Sequence, residues 1–561
     1  MKTHTKIFLI IFMLFTLSRF LPFAQIYHQD EYKWAMIADS SFGLNLESDH
    51  PPLTALLYRG TGAVLGYDHL RALPTLFSIF NIILIYLIAF RLYGKKAALW
   101  TAGILLPSIC FFVASSEIDI DGAILPFFGL LAVYFFYRID FKEIKKKENI
   151  KWFVLLFVTF IFGFLVKLSF VLFVAAIVTE YFLLHKPKGK TIIKLFGWSL
   201  AAIAIVGALV YLLDKISGVQ NAGRFLSNVW HFVNFSGRNY SQVLFLGIKS
   251  IILLSPLFLL PYLFVLSKKE YIIKYRIWLI YVLYNLLFYF VIFDFTNRTI
   301  ERYMMFMIVP SAIIIGSFLA DNFVIEKTKT FFWKLAGAIA LAVLSAVWLF
   351  NLPFFIFPLN PKFAYIDAVK HFNFDFLIPI TGGSGPIGFY VLASYILFAF
   401  VFSFVAVILY FVVKSKNSKQ FIIMCLLCVG LVYNIILSTE FIFGYQYGKV
   451  SLVAKQALAY VAEDPKIEKI TTYYDIGGYE LYSSKKYGAR FYTDPMYEAK
   501  NLRNFPKYDG YYLVVDFPEI SKESLVWKYL TTCRTAFSVN DKLVNGYVFD
   551  CKEGDRNIFK Q

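Results

Sequence analysis

The chain has 561 residues, of which 59% are hydrophobic, 20% aromatic and only 16% charged, and its mean hydropathy is +0.63. These values exclude an ordinary soluble domain and predict a polytopic α-helical membrane protein. The net charge of +18 does not indicate nucleic-acid binding, because Lys and Arg occur in short clusters between apolar runs and not on one basic face.

A membrane-crossing helix needs about 20 apolar residues, and about thirteen stretches of the chain approach that criterion. The first stretch lacks a small-residue cleavage site, so it is predicted to be a retained span. In chain order the stretches are residues 7–23, 70–90, 97–114, 121–137, 152–166, 169–184, 191–213, 242–266, 277–293, 304–320, 335–352, 388–413 and 420–437.

Charge in the loops predicts the orientation. With a cytoplasmic N-terminus, about 25 Lys and Arg lie in the inner loops and about 10 in the outer loops before the tail, as the positive-inside rule requires. Residues 152–185 could form one long span or two short spans that meet at Lys167. Two spans keep the basic loops at residues 185–190 and 267–276 inside, so two are predicted, with Lys167 at the outer face.

The polar tail, residues 438–561, is predicted to be a small extracytoplasmic α/β domain that follows a transmembrane domain of residues 1–437. Four of its stretches read as strands, and "SKESLVWKYL" reads as an amphipathic helix. This arrangement predicts an integral protein of the cytoplasmic (inner) membrane with its tail outside.

The chain has five cysteines. Cys110, Cys425 and Cys428 lie in apolar runs and are expected to be packing residues. Cys533 and Cys551 flank two predicted strands that turn near residues 540–545, which favours a disulfide in an oxidising outer compartment over two free buried thiols.

Polar residues collect in the loops that this topology puts outside. Each alone has a simpler explanation as a solvated pair, a helix cap, a proline-stiffened turn or a snorkelling arginine. Their confinement to one face favours a functional site, because ionisable groups at membrane edges are costly unless they are paired or used. The residues are Asp30, Glu31, Asp49, His50, Asp119, Asp121, Lys167, Arg238, Arg302 and Tyr303.

These residues and their order resemble the GT-C glycosyltransferases of the family that contains dolichyl-phosphate-mannose protein mannosyltransferases and aminoarabinose (lipid A) transferases. Asp30–Glu31 looks like the family's Asp-Glu pair in the first outer loop, and "HPPL" at residues 50–53 looks like its Pro-containing motif. Asp121 is similar to its aspartate at the start of span four. Lys167 in "GFLVKLSF" is similar to its lysine between spans five and six, and "ERY" at residues 301–303 resembles its basic-Tyr motif.

Two departures concern the substrate and a metal. His50 stands where the family usually has Lys, and the histidine that some relatives use for a structural metal has no counterpart in register, because His231 is displaced from it. A divalent metal is therefore left open, and nothing in the sequence requires a cofactor.

The resemblance implies an inverting transfer of a sugar from a polyprenyl-phosphate carrier to a protein hydroxyl or glycolipid acceptor at the outer face. Such a displacement needs one base, for which Asp30 is expected with Glu31 beside it. Lys167 and Arg302 are expected near the carrier phosphate, whose charge grows as the glycosidic bond breaks. Asp119 and Asp121 are expected to orient sugar hydroxyls or to hold a basic side chain. The remaining substrate-binding candidates are Asp49, His50, Arg238 and Tyr303.

Two other functions are consistent with a multi-spanning chain. A secondary transporter also uses ionisable residues in the membrane, but transporters typically have repeated halves and charges near the midplane, which this sequence lacks. A lipid-linked oligosaccharide ligase or oligosaccharyltransferase shares the lipid-linked donor. The partners expected for the favoured function are the lipid-linked sugar, the glycan acceptor and membrane lipids, with no nucleic acid.

Overall fold

The computed structural model of the chain consists of long apolar helices, a two-stranded sheet and a five-stranded sheet. It describes residues 3–39, 51–143, 146–187, 261–266, 268–292, 301–323, 328–358, 363–380, 388–492, 510–517 and 520–554, with scattered positions between 189 and 256.

Helices fill the first third of the chain. They are α1 (Thr3–Arg19), α2 (Gln29–Ala38), α3 (Pro52–Leu65), α4 (Ala72–Tyr93), α5 (Lys95–Leu105), α6 (Ile109–Ser116), α7 (Ile124–Phe136), α8 (Lys147–Val166) and α9 (Val171–His185). Short 3-10 turns lie at Leu21–Ala24, Tyr67–His69 and Leu168–Phe170.

The described residues between 261 and 443 are also mainly helical. Its elements are α10 (Pro261–Leu266), α11 (Lys269–Lys274), α12 (Arg276–Leu287), α13 (Ile308–Asn322), α14 (Lys329–Phe350), α15 (Phe363–Lys370), β1 (Leu377–Ile380), β2 (Phe389–Leu392), α16 (Ala393–Val412) and α17 (Lys416–Phe443). A π-helical turn at Phe288–Ile292 follows α12, and a 3-10 turn at Glu301–Met307 precedes α13. Strands β1 and β2 pair antiparallel.

The tail alternates helices and strands, as its sequence predicts. The elements are α18 (Val450–Glu463), β3 (Ile470–Tyr473), α19 (Gly478–Ser483), β4 (Tyr487–Phe491), β5 (Tyr511–Asp516), α20 (Leu525–Leu530), β6 (Arg534–Asp541) and β7 (Val544–Asp550). The four predicted strand stretches correspond to β3, β4, β5 and β7, and the predicted amphipathic helix corresponds to α20.

Among the described residues, eight helical stretches are long and apolar enough to cross a membrane, and the pair α5 and α6 would be a ninth if it is one broken span. Helices α7 and α12 are apolar but shorter. The predicted spans at residues 191–213 and 242–266 fall largely outside the described residues. A helical membrane protein is confirmed, and the total of about thirteen spans stays a prediction.

One predicted span differs in shape from the structure. Residues 97–114 were expected to form a single helix, but α5 and α6 meet at a bend of 71°. Pro107 lies in the break and has no N–H for a continuous helical ladder. Ser108 then caps the second helix, because its Oγ accepts a hydrogen bond from Phe111 N at 3.3 Å.

The chain divides into two compact units. The first, here called the helical unit, comprises Met1–Phe23, Trp34–Leu335 and Ser403–Leu427, and the second, here called the mixed unit, comprises Ala24–Lys33, Ala336–Phe402 and Cys428–Gln561. The predicted boundary between residues 437 and 438 separates a membrane part from an extracytoplasmic part and stays a prediction.

The five-stranded sheet forms the core of the tail. Its order is β4-β3-β5-β7-β6, with β4, β3 and β5 parallel and β7 antiparallel to both β5 and β6. All four residues of β3 and the first five of β5 are buried, as expected for central strands rich in β-branched and aromatic residues. The central position of β3 matters below, because the turn that follows it leads directly into α19.

The last two strands form a hairpin closed by a disulfide. β6 and β7 are joined by a tight turn in which Lys542 has a φ of 54°. The hairpin brings its ends together, and Cys533 and Cys551 are bonded with a Cα–Cα distance of 4.6 Å. The predicted pairing is confirmed, while Cys110, Cys425 and Cys428 are free.

Candidate active site

The helical structure is interrupted at Lys167, between α8 and α9. α8 ends at Val166, Lys167 is extended with φ −159° and ψ 142°, and a 3-10 turn leads into α9. Gly163 permits the break, because a Cβ on this residue would lie 2.5 Å from the ring of Phe170, which folds back onto α8 and is fully buried. The prediction of two spans that meet at Lys167 is confirmed in its two helices, and the outer location of Lys167 stays a prediction.

Asp121 lies in the tight turn between α6 and α7. Gly122 makes this turn possible, because a Cβ there would lie 2.5 Å from the carbonyl oxygen of Ala114. The neighbouring Asp119 is fixed through its backbone, since its carbonyl oxygen accepts a hydrogen bond from the buried Tyr58 hydroxyl at 2.9 Å. The turn is therefore held close to the end of α6 by tight backbone packing.

Lys167 and Asp121 form an ion pair in this part of the helical unit. The Lys167 Nζ to Asp121 Oδ2 distance is 2.5 Å, and the two side chains are only 14% and 8% exposed. The Nζ also lies 5.3 Å from the centroid of the Tyr303 ring, in cation–π range. Asp121 thus holds a basic side chain, one of the two roles expected for it, and does not cap a helix.

A pocket opens beside this ion pair. It is a small pocket that is partly open to solvent. Its polar wall consists of Asp121, Ser169, Tyr281, Asn285, Tyr289 and Tyr303. Leu125, Pro126, Phe173, Met305 and Phe306 supply the apolar wall. A pocket with apolar walls and a few convergent polar groups is typical of a ligand site.

Asp30 and Glu31 lie in the first turn of α2, in the mixed unit. His28 N donates a hydrogen bond to Glu31 Oε2 at 3.1 Å, and His28 Nδ1 accepts one from Asp30 N at 3.1 Å. This reciprocal arrangement is a capping box in which a histidine replaces the usual Ser or Thr. Glu31 is fully buried, so it is not part of a solvated pair.

Asp30 differs from Glu31 in its surroundings. Its side chain is 14% exposed, and its Oδ1 lies 3.3 Å from the Nζ of Lys33, which is 53% exposed. The Asp30 carboxylate is therefore mostly covered but retains some exposure, to the same extent as Lys167, whereas the Glu31 carboxylate is fully buried and occupied by the helix start.

The structure groups the predicted residues in two sets. Asp119, Asp121, Lys167 and Tyr303 belong to the helical unit, and Asp30 and Glu31 to the mixed unit. Asp49, His50 and Arg238 lie outside the described residues. Arg302 contributes to the 3-10 turn before α13, but its side chain also lies outside the described part.

Sequence reasoning missed several residues of both sets. Lys33 follows Asp30 by three positions, the spacing of an ion pair on one helix face, and His28 precedes Glu31 by three, the spacing of a capping box. Those local signals were available. Ser169, Asn285 and Tyr289 carry no local signal, because they reach the pocket only through the packing of helices that are distant in the sequence.

Within the described residues, no three His, Cys, Asp or Glu side chains come together as a metal site would require. Of the two acidic residues in the turn between α6 and α7, Asp121 is paired with Lys167.

Comparison with known proteins supports the resemblance seen in the sequence. Residues 49–213, less than a third of the chain, match the family model described as dolichyl-phosphate-mannose-protein mannosyltransferase. No curated protein sequence matches the chain.

Two crystal structures have the same fold over nearly the whole chain. ArnT from Cupriavidus metallidurans in the apo state is 13% identical, with 98% of each chain covered and a TM-score of 0.54. The same protein bound to undecaprenyl phosphate is 12% identical, with 98% of this chain and 97% of that chain covered and a TM-score of 0.55.

This chain has the GT-C fold. The resemblance to GT-C glycosyltransferases is therefore confirmed at the level of fold. At these identities the structural likeness concerns the fold alone, so the chemistry has to be argued from the residues of this chain.

Proposed function

We propose that this protein is an inverting glycosyltransferase of the inner membrane that moves a sugar from a polyprenyl-phosphate carrier to an acceptor at the outer face. The observation that carries the proposal is the Lys167–Asp121 pair beside a pocket in a GT-C fold. A largely buried ammonium next to a partly apolar pocket suits a lipid-linked phosphate. The ammonium can pair with the phosphate charge, and the apolar wall can contact the lipid chain.

The donor phosphate would share the Lys167 ammonium with Asp121. An ammonium has three N–H donors, so Lys167 can keep its contact with Asp121 while it donates to a phosphate oxygen. As the glycosidic bond breaks, negative charge accumulates on that phosphate, and a fixed cation lowers the energy of the transition state. Arg302 is proposed as a second donor to the phosphate, and Tyr303, whose ring faces Lys167, as part of the wall.

Asp30 is proposed as the base that takes the proton of a hydroxyl acceptor. Its partial exposure and its position in the first turn of α2 support this role, because the acceptor has to reach it. Glu31 is proposed to fix the start of that helix through its bond to His28 N. Asp49, His50, Asp119 and Arg238 are proposed as further contacts to sugar or acceptor.

The binding of undecaprenyl phosphate by the structurally similar ArnT supports a polyprenyl phosphate as the carrier. The acceptor is proposed to be a protein hydroxyl or a glycolipid, and the tail is proposed to face the outer compartment. A comparison of glycolipids and glycoproteins by mass spectrometry, in wild-type and deletion cells, would identify sugar and acceptor together.

The direct test is a transfer assay with purified protein in detergent. Radiolabelled undecaprenyl-phosphate monosaccharides would be the donors, and extracted cell-envelope glycolipids and proteins the acceptors. Asp30→Asn keeps the size of the side chain but removes the base, so transfer to a hydroxyl should fall about a hundredfold or more.

The matched control is Asp367→Asn, the same substitution at a side chain of the mixed unit that is 74% exposed, which should transfer at the wild-type rate. A protein that moves the lipid-linked sugar across vesicles without cleaving it would be a transporter. A wild-type rate in Asp30→Asn would refute the assignment of the base.

A further inference from the structure

The segment that carries Asp30 is anchored on both sides in the mixed unit. Before the helix, Ile26 N donates to Ser451 Oγ at 2.9 Å, and the Tyr27 ring lies 5.5 Å from that of Tyr479. After Asp30, the Tyr32 ring stacks on Tyr482 with centroids 5.6 Å apart. Tyr479 and Tyr482 both belong to α19, so this short helix contacts the chain on either side of Asp30.

Close approach between α19 and Tyr32 requires a glycine. A Cβ on Gly478, the first residue of α19, would lie 3.3 Å from Cγ of the Tyr32 ring and 3.4 Å from both Cδ atoms. The shortest of these distances is slightly tighter than an ordinary van der Waals contact, so a Cβ here would displace the ring by a few tenths of an ångström. The location of Tyr32, two residues after Asp30, is thus set by the N-terminus of α19.

The turn that leads into α19 is conformationally strained. Tyr474, Asp475 and Gly477 have φ values of 51°, 60° and 66°, and the left-handed region is unfavourable for the two non-glycine residues. Such backbone persists only where its surroundings hold it, and it is concentrated at functional sites. A turn of this kind defines the direction of α19 relative to β3.

Three side chains hold the turn in that conformation. The buried carboxylate of Asp475 accepts a hydrogen bond from the Tyr487 hydroxyl at 2.5 Å through Oδ1, and one from Arg490 Nη1 at 2.7 Å through Oδ2. Tyr487 and Arg490 lie on β4, the parallel neighbour of β3. We call Asp475, Tyr487 and Arg490 the turn clamp.

The clamp also touches α19 itself. The Tyr487 ring stacks on Tyr482 with centroids 4.1 Å apart. Burial raises the pKa of Tyr487, and the charge of Asp475 raises it further, so the phenol stays protonated and remains a donor at neutral pH. A continuous set of contacts therefore runs from Asp475 through Tyr487 and Tyr482 to Tyr32.

We propose that the turn clamp and Gly478 position Asp30 for catalysis, so that the tail of the chain supports the base and is not merely an appended domain. The proposal rests on the proposed function, in which Asp30 is the base. Asp475, Tyr487, Arg490 and Gly478 are positioning residues, because they act on Asp30 only through α19 and Tyr32. A rigid support of this kind matters, because a displacement of about 1 Å at a catalytic group can reduce a rate about a hundredfold.

The test compares Gly478→Ala with Gly337→Ala in the full-length protein, using radiolabelled undecaprenyl-phosphate monosaccharides as donors. A Cβ at Gly337 meets nothing within 4 Å, so this control carries the same change without the contact. Gly478→Ala, which shifts the Tyr32 ring by only a few tenths of an ångström, should lower kcat measurably but by less than about 100-fold and leave KM for the donor unchanged. Arg490→Gln, which weakens the clamp without adding volume at Tyr32, should lower kcat in the same way.

The decisive measurement combines each change with Asp30→Asn. If the clamp works through Asp30, the double variant should have the residual rate of Asp30→Asn alone. Once the carboxylate has been removed, a displacement of residue 30 cannot lower the rate further. Losses that multiply would overturn the proposal, as would wild-type kcat in both Gly478→Ala and Arg490→Gln. If Asp30→Asn itself transfers sugar normally, the assignment of the base in the proposed function fails. That failure is distinguishable from a failure of the clamp proposal, because the Asp30→Asn variant leaves the clamp intact.

Discussion

The two groups of candidate residues are held in place by different forces. In the helical unit, Lys167 and Asp121 are 46 positions apart and form a largely buried ion pair. The pair joins the interruption between α8 and α9 to the turn between α6 and α7. In the mixed unit, Glu31 is held by a backbone group only three residues away. The first arrangement depends on helix packing and on two charges that must both be present, and the second depends on local backbone hydrogen bonds supported by α19. Removal of one partner of the Lys167–Asp121 pair should therefore lower the stability of the protein. Changes at the start of α2 should mainly disturb the orientation of Asp30.

The largest effect is expected from Lys167→Met. Removal of one partner from a buried pair leaves an uncompensated charge on Asp121 and should cost about 3–5 kcal/mol of stability. The double variant Lys167→Met with Asp121→Leu should recover part of that loss, because no buried charge is left. Thermal unfolding of the purified variants in detergent measures both values.

The same two variants test the contact with the donor. Lost contact with a phosphate should weaken donor binding by about 1.5–3 kcal/mol, and the double variant should not restore it. Donor kinetics equal to wild type in the double variant would show that Lys167 and Asp121 only stabilise the helix breaks.

The second prediction concerns the disulfide of the tail. The bond between Cys533 and Cys551 closes a loop with a sequence separation of 18, and loops of this size are stabilised by about 3 kcal/mol. Replacement of both cysteines by Ser should lower the stability of the mixed unit by about that amount, seen as an earlier transition in thermal unfolding. The free cysteine Cys110 offers the control Cys110→Ser, which removes no bond.

The same two cysteines, Cys533 and Cys551, also test on which side of the membrane the tail lies. In intact cells, an impermeant thiol reagent should label Cys533 and Cys551 only after a reductant is added. Labelling without reductant, or labelling only after lysis, would contradict an outer, oxidising location.

The third prediction separates the two roles open to Glu31. If its function is to cap α2, Glu31→Gln should retain near wild-type transfer, because the amide oxygen can still accept from His28 N. Glu31→Ala should lose the cap, destabilise the first turn of α2 by about 1–2 kcal/mol and lower kcat. A loss in Glu31→Gln as large as that in Asp30→Asn would instead show that the negative charge of Glu31 takes part in the reaction.

The sequence was most informative where structure is local or repeated. Apolar runs identified the helical membrane class, and β-branched and aromatic stretches identified the strands of the tail. The break at Lys167 followed from the charge of the loops, because only two spans keep the basic loops inside. The disulfide followed from the hairpin between Cys533 and Cys551. For the apolar runs, the strands and the hairpin, neighbouring residues contain the whole signal, because hydropathy, strand pattern and turn position are properties of short segments.

Contacts between distant segments could not be predicted from the sequence. The pairing of Lys167 with Asp121 depends on how the helices pack, because packing decides which interhelical turns lie next to each other. The charge of the loops does not determine that packing. The contact of Tyr32 with Gly478 joins the first loop to the tail, and neither residue carries an unusual local pattern. Pro107 does mark a break in residues 97–114, so the bend of 71° has a local signal in the sequence, as do the contacts of Lys33 with Asp30 and of His28 with Glu31.

The smallest effect is expected from Lys33→Met. Lys33 lies 3.3 Å from Asp30 but is 53% exposed, and exposed ion pairs contribute about 0–1 kcal/mol. Transfer should therefore change by less than about fivefold, and the difference from wild type should shrink at high salt, because mobile ions screen exposed charges. Measurements of kcat/KM at low and high ionic strength test this, with Lys33→Arg as the control that keeps the charge. A loss that approaches that of Asp30→Asn and persists at high salt would show that Lys33 contacts the substrate directly, so that the mixed unit contributes a cation as well as a base.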